Sequence, residues 1–186
     1  MEMREMDIKS EKLMAGVGAL FSLTWLTLSP VAIAGWVLLL IALKRLSLQL
    51  ERREIYQDIR EAMILAIASG FVFLFVWWRF PIGFIRFYSE ERFVTISSII
   101  SFILGCGLLI ASSHFLRRCL FSLKEITGED FFLKAGELVF LGSLMSIILV
   151  GFLIYSIGQI YQAIAFFLLP DRLEYGKEKR EEVVLE

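Results

Sequence analysis

Residues 26–36 read LTLSPVAIAGW, in the middle of a run from Leu13 to Leu43 that holds no charged side chain. Lys12 precedes the run and Lys44 follows it. At about 1.5 Å of rise per residue, one helix over that run would reach ~46 Å, against a hydrocarbon core about 30 Å thick. A single span is too long, and two spans turning at Ser29-Pro30 are each somewhat short. Length leaves the matter open, so the placement of charge has to decide it.

Three further charge-free runs follow: Ala62–Trp78, Phe93–Leu116 and Leu138–Pro170. Roughly 18 or more such residues mark a bilayer span, and 58% of the 186 residues are apolar. This is the pattern of an integral membrane protein. The two cysteines, Cys106 and Cys119, have neither metal-ligand spacing nor a disulfide framework, and the lone His114 cannot form a ligand cluster. Ala32-Ile33-Ala34 resembles a signal-peptide cleavage site. The stretch before it is rich in acids as well as bases, however, and cleavage would strand Gly35–Leu43 as an apolar stub.

Cytoplasmic loops retain lysine and arginine. The polar segments 1–12, 44–61, 79–92, 117–134 and 171–186 hold 3, 5, 3, 4 and 4 of them. If each long run were one span, the two sides would carry 10 and 9, which is no bias. With only the first run folded back the split is 12 to 7, and with both folded back it is 16 to 3. The sequence therefore predicts an all-α membrane bundle of six transmembrane helices arranged as three helical hairpins. The spans are about 13–28, 31–45, 59–78, 93–118, 134–150 and 153–169. Residues 1–12 form a cytoplasmic N-terminal segment and 171–186 a charged cytoplasmic tail, in a cell-membrane protein with both termini inside. Pro30 suits the first position of the returning helix, where its missing N–H is no loss.

The first and last hairpins resemble each other. Gly18-Ala-Leu-Phe-Ser-Leu matches Gly142-Ser-Leu-Met-Ser-Ile, and Gly35 with Ala42 matches Gly158 with Ala165. The reading is an internal repeat of helical hairpins joined by two cytoplasmic linkers. In those linkers Leu43, Leu46 and Leu50, then Leu116, Leu120, Leu123 and Ile126, recur at helical spacing. Such a face either packs on its own bundle or offers a surface to a cytoplasmic protein partner or to lipid.

Small residues recur every four positions as Ala62, Ala66 and Gly70, and again as Ser97, Ser101 and Gly105. Rows of this kind allow close helix approach in lipid, either within the central hairpin or in a homo-oligomer. The aromatics after span 3, Trp77, Trp78, Phe80, Phe84, Phe87 and Tyr88, suit the headgroup level rather than a nucleic-acid surface. No Asp, Glu, Lys or Arg lies deep in a predicted span; Glu137 sits near the start of span 5, where it favours the helix N-terminus. Intramembrane proteolysis and ion-coupled transport usually need such buried groups, so no catalytic, metal or cofactor site is expected and the chain reads as a non-enzyme. The best polar group is Tyr155, Gln159 and Gln162 on one face of span 6, with Ser156 beside it. They serve either to line a path for a small solute or to bond helix to helix. Ser112, Ser113 and His114 form a weaker group.

KLMAGVGALFSL from Lys12, the proline turn, and GWVLLLIALKRL up to Leu46 resemble the opening of small prokaryotic membrane proteins catalogued as domain of unknown function 996. SLKEITGEDFFLKAGELVFLG and IAFFLLP resemble that family's second half, so the likeness covers roughly residues 9–170. The resemblance implies a polytopic membrane protein and supplies no activity and no catalytic residue. Two functions are in contention: a non-enzymatic structural, assembly or interaction component, and a small channel or carrier. Membrane lipids are the partners expected in either case.

Overall fold

The computed structural model describes residues 4–23, 30–85, 92–148 and 150–175. Six helices account for almost all of them: α1 Lys9–Ser22, α2 Pro30–Gln49, α3 Arg53–Ile85, α4 Arg92–Thr127, α5 Asp130–Leu144 and α6 Val150–Leu168. Pro30 is indeed the first residue of α2, while Ser29 and the turn before it lie outside the described residues. The helices pack in chain order, and α6 returns against α1, so the succession closes on itself.

Among the described residues, four helices are long and apolar enough to cross a membrane, over Val31–Gln49, Arg53–Val76, Ile96–Thr127 and Val150–Leu168. Of the six expected spans, the helices of four meet that measure and those of the first and fifth do not. The 14 residues of α1 and 15 of α5 extend only about 21–23 Å, short of a hydrocarbon core of about 30 Å. In contrast, α2, α3 and α4 overrun their predicted bounds, and in α2 and α4 the apolar linker faces continue the helices outside the charge-free runs. Leu43, Leu46 and Leu50, and Leu116, Leu120 and Leu123, are all buried in the bundle core. The bundle itself covers these leucines.

Two corners end these helices differently. After α4 the chain turns at Gly128, whose φ of 74° costs glycine nothing, and its N–H bonds the Lys124 carbonyl at 2.8 Å. After α2 the same left-handed position falls on Glu51, with φ 55°. There the Arg52 N–H reaches the Ser47 carbonyl at 3.0 Å and the Glu51 N–H that of Leu48 at 3.4 Å, the paired bonds of a Schellman cap.

The last turn is displaced from its expected place near Gly151. Among the described residues it occupies a 3-10 turn over Met145–Ile147 with Ile148 after it, and Gly151 lies in the first turn of α6. Gly151 is there for proximity: a Cβ would strike the backbone of Met145 and Ser146. Gly18 and Gly35 play the same part between α1 and α2, where a Cβ on Gly18 would stand 2.8 Å from the Gly35 carbonyl oxygen.

The chain ends add an element with no counterpart in the expected charged segments. Strands β1 (Arg4–Asp7) and β2 (Arg172–Tyr175) pair antiparallel, Arg4 with Tyr175 and Asp7 with Arg172. Ile8, fully buried, donates its N–H to the Asp171 carbonyl at 3.0 Å. Lys12 donates to the Leu169 carbonyl at 2.9 Å and pairs with the Asp171 carboxylate. The two ends of the described chain thus meet on one face of an otherwise all-helical bundle.

Candidate functional site

The polar face expected on α6 exists, and it is closed. Tyr155, Gln159 and Gln162 are 1%, 1% and 0% exposed. Ser22 of α1 donates to Gln159 Oε1 at 2.8 Å, with the Ala19 carbonyl a second acceptor at 2.7 Å, and the side chains of Tyr155 and Gln159 are hydrogen-bonded. Gln159 Nε2 and both polar atoms of Gln162 meet no partner among the described residues. Side chains this completely covered pack against neighbouring helices. Ser156 instead bonds within its helix, to the Phe152 carbonyl at 2.9 Å.

Serines tie the remaining helices together. Ser69 of α3 donates to the Gly105 carbonyl at 2.9 Å, and Ser112 of α4 donates to that of Ala62 at 2.7 Å. This fixes an antiparallel register in which Ala62 lies level with Ser112 and Gly70 lies near Gly105. The two small-residue rows consequently meet only where their ends overlap. Ala62, Ala66 and Gly70 are buried, while Ser97 and Ser101 are half-buried further along α4. Phe73, not a small residue, packs beside Gly105. Ser113 and Ser143 share a hydrogen bond of 2.5 Å between α4 and α5.

A second polar group, which the sequence motifs did not single out, lies where α3 begins and α4 ends. A cleft of about 330 Å³ is lined by Glu54 and Asp58 from α3 and by His114, Arg117, Arg118 and Glu125 from α4. Asp58 is 7% exposed and its carboxylate stands 3.6 Å from Arg118 Nε. The Arg117 guanidinium lies 5.2 Å from the ring centres of both Phe121 and Phe140. His114 sets its ring edge-on to Phe115 and Phe140 rather than to Ser112 or Ser113. A legible signal existed: Glu54 and Asp58 at spacing four, and Arg117, Arg118 and Glu125 on one stripe of α4, just outside two apolar runs, with His114 of the same stripe inside the end of the second run. Glu137, expected at a helix N-terminus, lies two turns into α5 and is exposed; Glu129 and Asp130 occupy that terminus instead, with Glu129 accepting from the Phe131 N–H at 3.4 Å.

Elements of this length and apolarity, in a closed succession with a serine- and glutamine-bonded interior, define a helical-bundle protein with, among the described residues, four helices long and apolar enough to cross a membrane. Within that class, residues 31–160 match the model of the family described as protein of unknown function (DUF996), and the chain belongs to that family. It is also similar to an uncharacterized protein of Methanocaldococcus jannaschii, 28% identical over an alignment of 177 residues that covers 92% of this chain and 98% of that protein. No solved structure matches the chain.

Proposed function

We propose that this chain is a multi-pass protein of the cell membrane and a non-enzymatic structural or assembly component of it. Its three helical hairpins enter the membrane from the cytoplasmic side, which holds both termini and both linkers. The observation that carries this reading is the distribution of polar chemistry. Inside the bundle, Ser22, Ser69, Ser112, Ser143 and Gln159 bond helix to helix and are covered. Outside, Ile99, Ile100 and Ile103 of α4, Phe71 and Phe75 of α3, and Leu153 and Ile157 of α6 are exposed. An apolar exterior around a polar-bonded interior suits lipid, where apolar burial gives helices little reason to associate and packing and hydrogen bonds must do so.

The short helices fit this topology. α1 packs antiparallel on α6, with Lys12 at Leu169 and Ser22 at Gln159, and α5 packs likewise on α6, with Phe132 at Phe166. Each short helix therefore begins at the end where its long partner finishes. Whether it crosses fully or re-enters, both termini stay on one side, which is the 16-to-3 arrangement of basic residues.

A carrier is the second reading, and one observation favours it: the unpartnered amide of Gln162 in the bundle interior. Reconstitution in liposomes separates the two. The structural reading expects small neutral solutes to cross no faster than in protein-free vesicles. Flux that disappears in the Gln159→Leu, Gln162→Leu double variant would replace it with the carrier reading.

A further inference from the structure

The cleft between α3 and α4 gathers opposite charges without pairing all of them. Arg118 and Asp58 face each other at 3.6 Å. Arg117 has no carboxylate within ion-pair distance among the described residues, and neither Glu54 nor Glu125 has a cation there. Arg117 is nevertheless held in place. Its guanidinium is flanked by the rings of Phe121 and Phe140, and its aliphatic stem runs past Gly136, where a Cβ would sit 3.4 Å from Arg117 Cγ. A guanidinium flanked by two rings is an oriented donor fork for an oxyanion. Glu54 and Glu125, one from each wall, are exposed acceptors suited to a cation.

Neither charge alone fits this lining. A simple anion would be drawn to Arg117 but would meet the fields of Glu54, Asp58 and Glu125. A simple cation would meet those of Arg117 and Arg118. A ligand carrying both charges satisfies both sets, and about 330 Å³ lies in the size range of small-molecule pockets. We propose that this cleft binds a small zwitterion in which a phosphate ester and a primary ammonium are joined by a short link, the chemistry of phosphoethanolamine. The oxyanion sits at Arg117, and the ammonium lies between Glu54 and Glu125. The choice of phosphate rests on the membrane reading above: the cleft opens immediately outside the apolar runs that begin at Ala62 and end at Leu116, the level of lipid headgroups. The same chemistry has two sources, a lipid headgroup or a soluble aminoalkyl phosphate.

Calorimetric titration of the detergent-purified full chain with O-phosphoethanolamine, inorganic phosphate and ethanolamine tests the pairing directly. A parallel arm measures retention of phosphatidylethanolamine against phosphatidylglycerol by native mass spectrometry. Saturable binding of the zwitterion in either arm is expected, at least about tenfold tighter than the matching single-charge ligand. It should weaken at least about tenfold in Arg117→Met and in the Glu54→Gln, Glu125→Gln double variant. Binding in the lipid arm alone assigns the lipid source, and binding in the soluble arm alone assigns the free compound and removes the headgroup-level argument while leaving the site. Equal binding of the single-charge ligands, variants that bind as the wild type does, or no saturable binding in either arm would overturn the proposal. Should Arg117→Met not fold, the exposed carboxylate pair decides alone.

Discussion

Gln162 is fully buried, and both its amide nitrogen and its amide oxygen are without a hydrogen-bond partner among the described residues. Burying a polar group without a bond costs on the order of 1–3 kcal/mol. Gln162→Leu, close in volume and without that cost, is therefore expected to raise the thermal midpoint in detergent by a few degrees; a clear fall would show that the amide is bonded in the native protein. Glycine positions offer a matched pair. Gly18→Leu forces a side chain against the Gly35 carbonyl and should cost at least about 2 kcal/mol. Gly107 has nothing within 4 Å of an added Cβ, so Gly107→Ala should stabilise α4 by about 0.5–1 kcal/mol. Equal unfolding midpoints for these two variants would mean that the close approach of α1 and α2 does not exist. Asp171 reports on the terminal clasp: its hydrogen bond from Lys12, aided by the charges of Lys12 and Lys9, holds its carboxyl below the usual carboxylate value despite some desolvation. A depressed acid stabilises the fold above its unfolded value of about 3.9 and loses that contribution as pH falls through the lower folded value. Asp171→Asn should therefore lower stability at neutral pH and narrow its gap from the wild type as pH drops below about 4, measured by unfolding across that range.

Helix ends and crossings explain which parts of the sequence could be read. Pro30 opened α2 where the fixed φ and missing N–H of proline are harmless, and Gly128 closed α4 in a conformation that suits it. Glu51 gave no such signal, because a Schellman cap ordinarily advertises itself by glycine and here carries a side chain at φ 55°. Glu51→Gly is expected to stabilise the protein by about 1 kcal/mol, and Gly128→Ala to destabilise it by a similar amount. Chemical unfolding in mixed micelles would check both, and a Glu51→Gly protein less stable than the wild type would refute the strain. The partner faces of the small-residue rows were not legible. Spacing places Ala62 and Ser97 on helix faces, but the antiparallel register that sets Ala62 level with Ser112 is a property of two helices together. The α6 amides were legible as a face at spacings of four and three. Their closure by α1 was not, since it depends on Ser22 arriving from 137 residues away.

The bundle as a whole is closed by its two ends, α1 on α6 and β1 on β2. No local propensity of REMD or RLEY announces a strand; pairing follows because α6 runs antiparallel to α1 and returns the chain to its starting face, where two short segments can exchange backbone hydrogen bonds. Basic-residue placement puts both termini on one side, and the structure brings Asp7 and Arg172 together; the side of a membrane they share belongs to the proposed topology. How far the helices run past the spans escaped it, since the linkers are apolar enough to continue α2 and α4 beyond their charge-free runs. The central claim is that the N-terminus and the first linker share one side of the membrane. Single cysteines at Lys9, Arg53 and Ser89, in a chain with Cys106 and Cys119 replaced, would be probed with a membrane-impermeant maleimide on intact cells and on inverted vesicles. Lys9→Cys and Arg53→Cys should react only in inverted vesicles and Ser89→Cys only on intact cells, whereas labelling of the first two from opposite sides would contradict the hairpin topology.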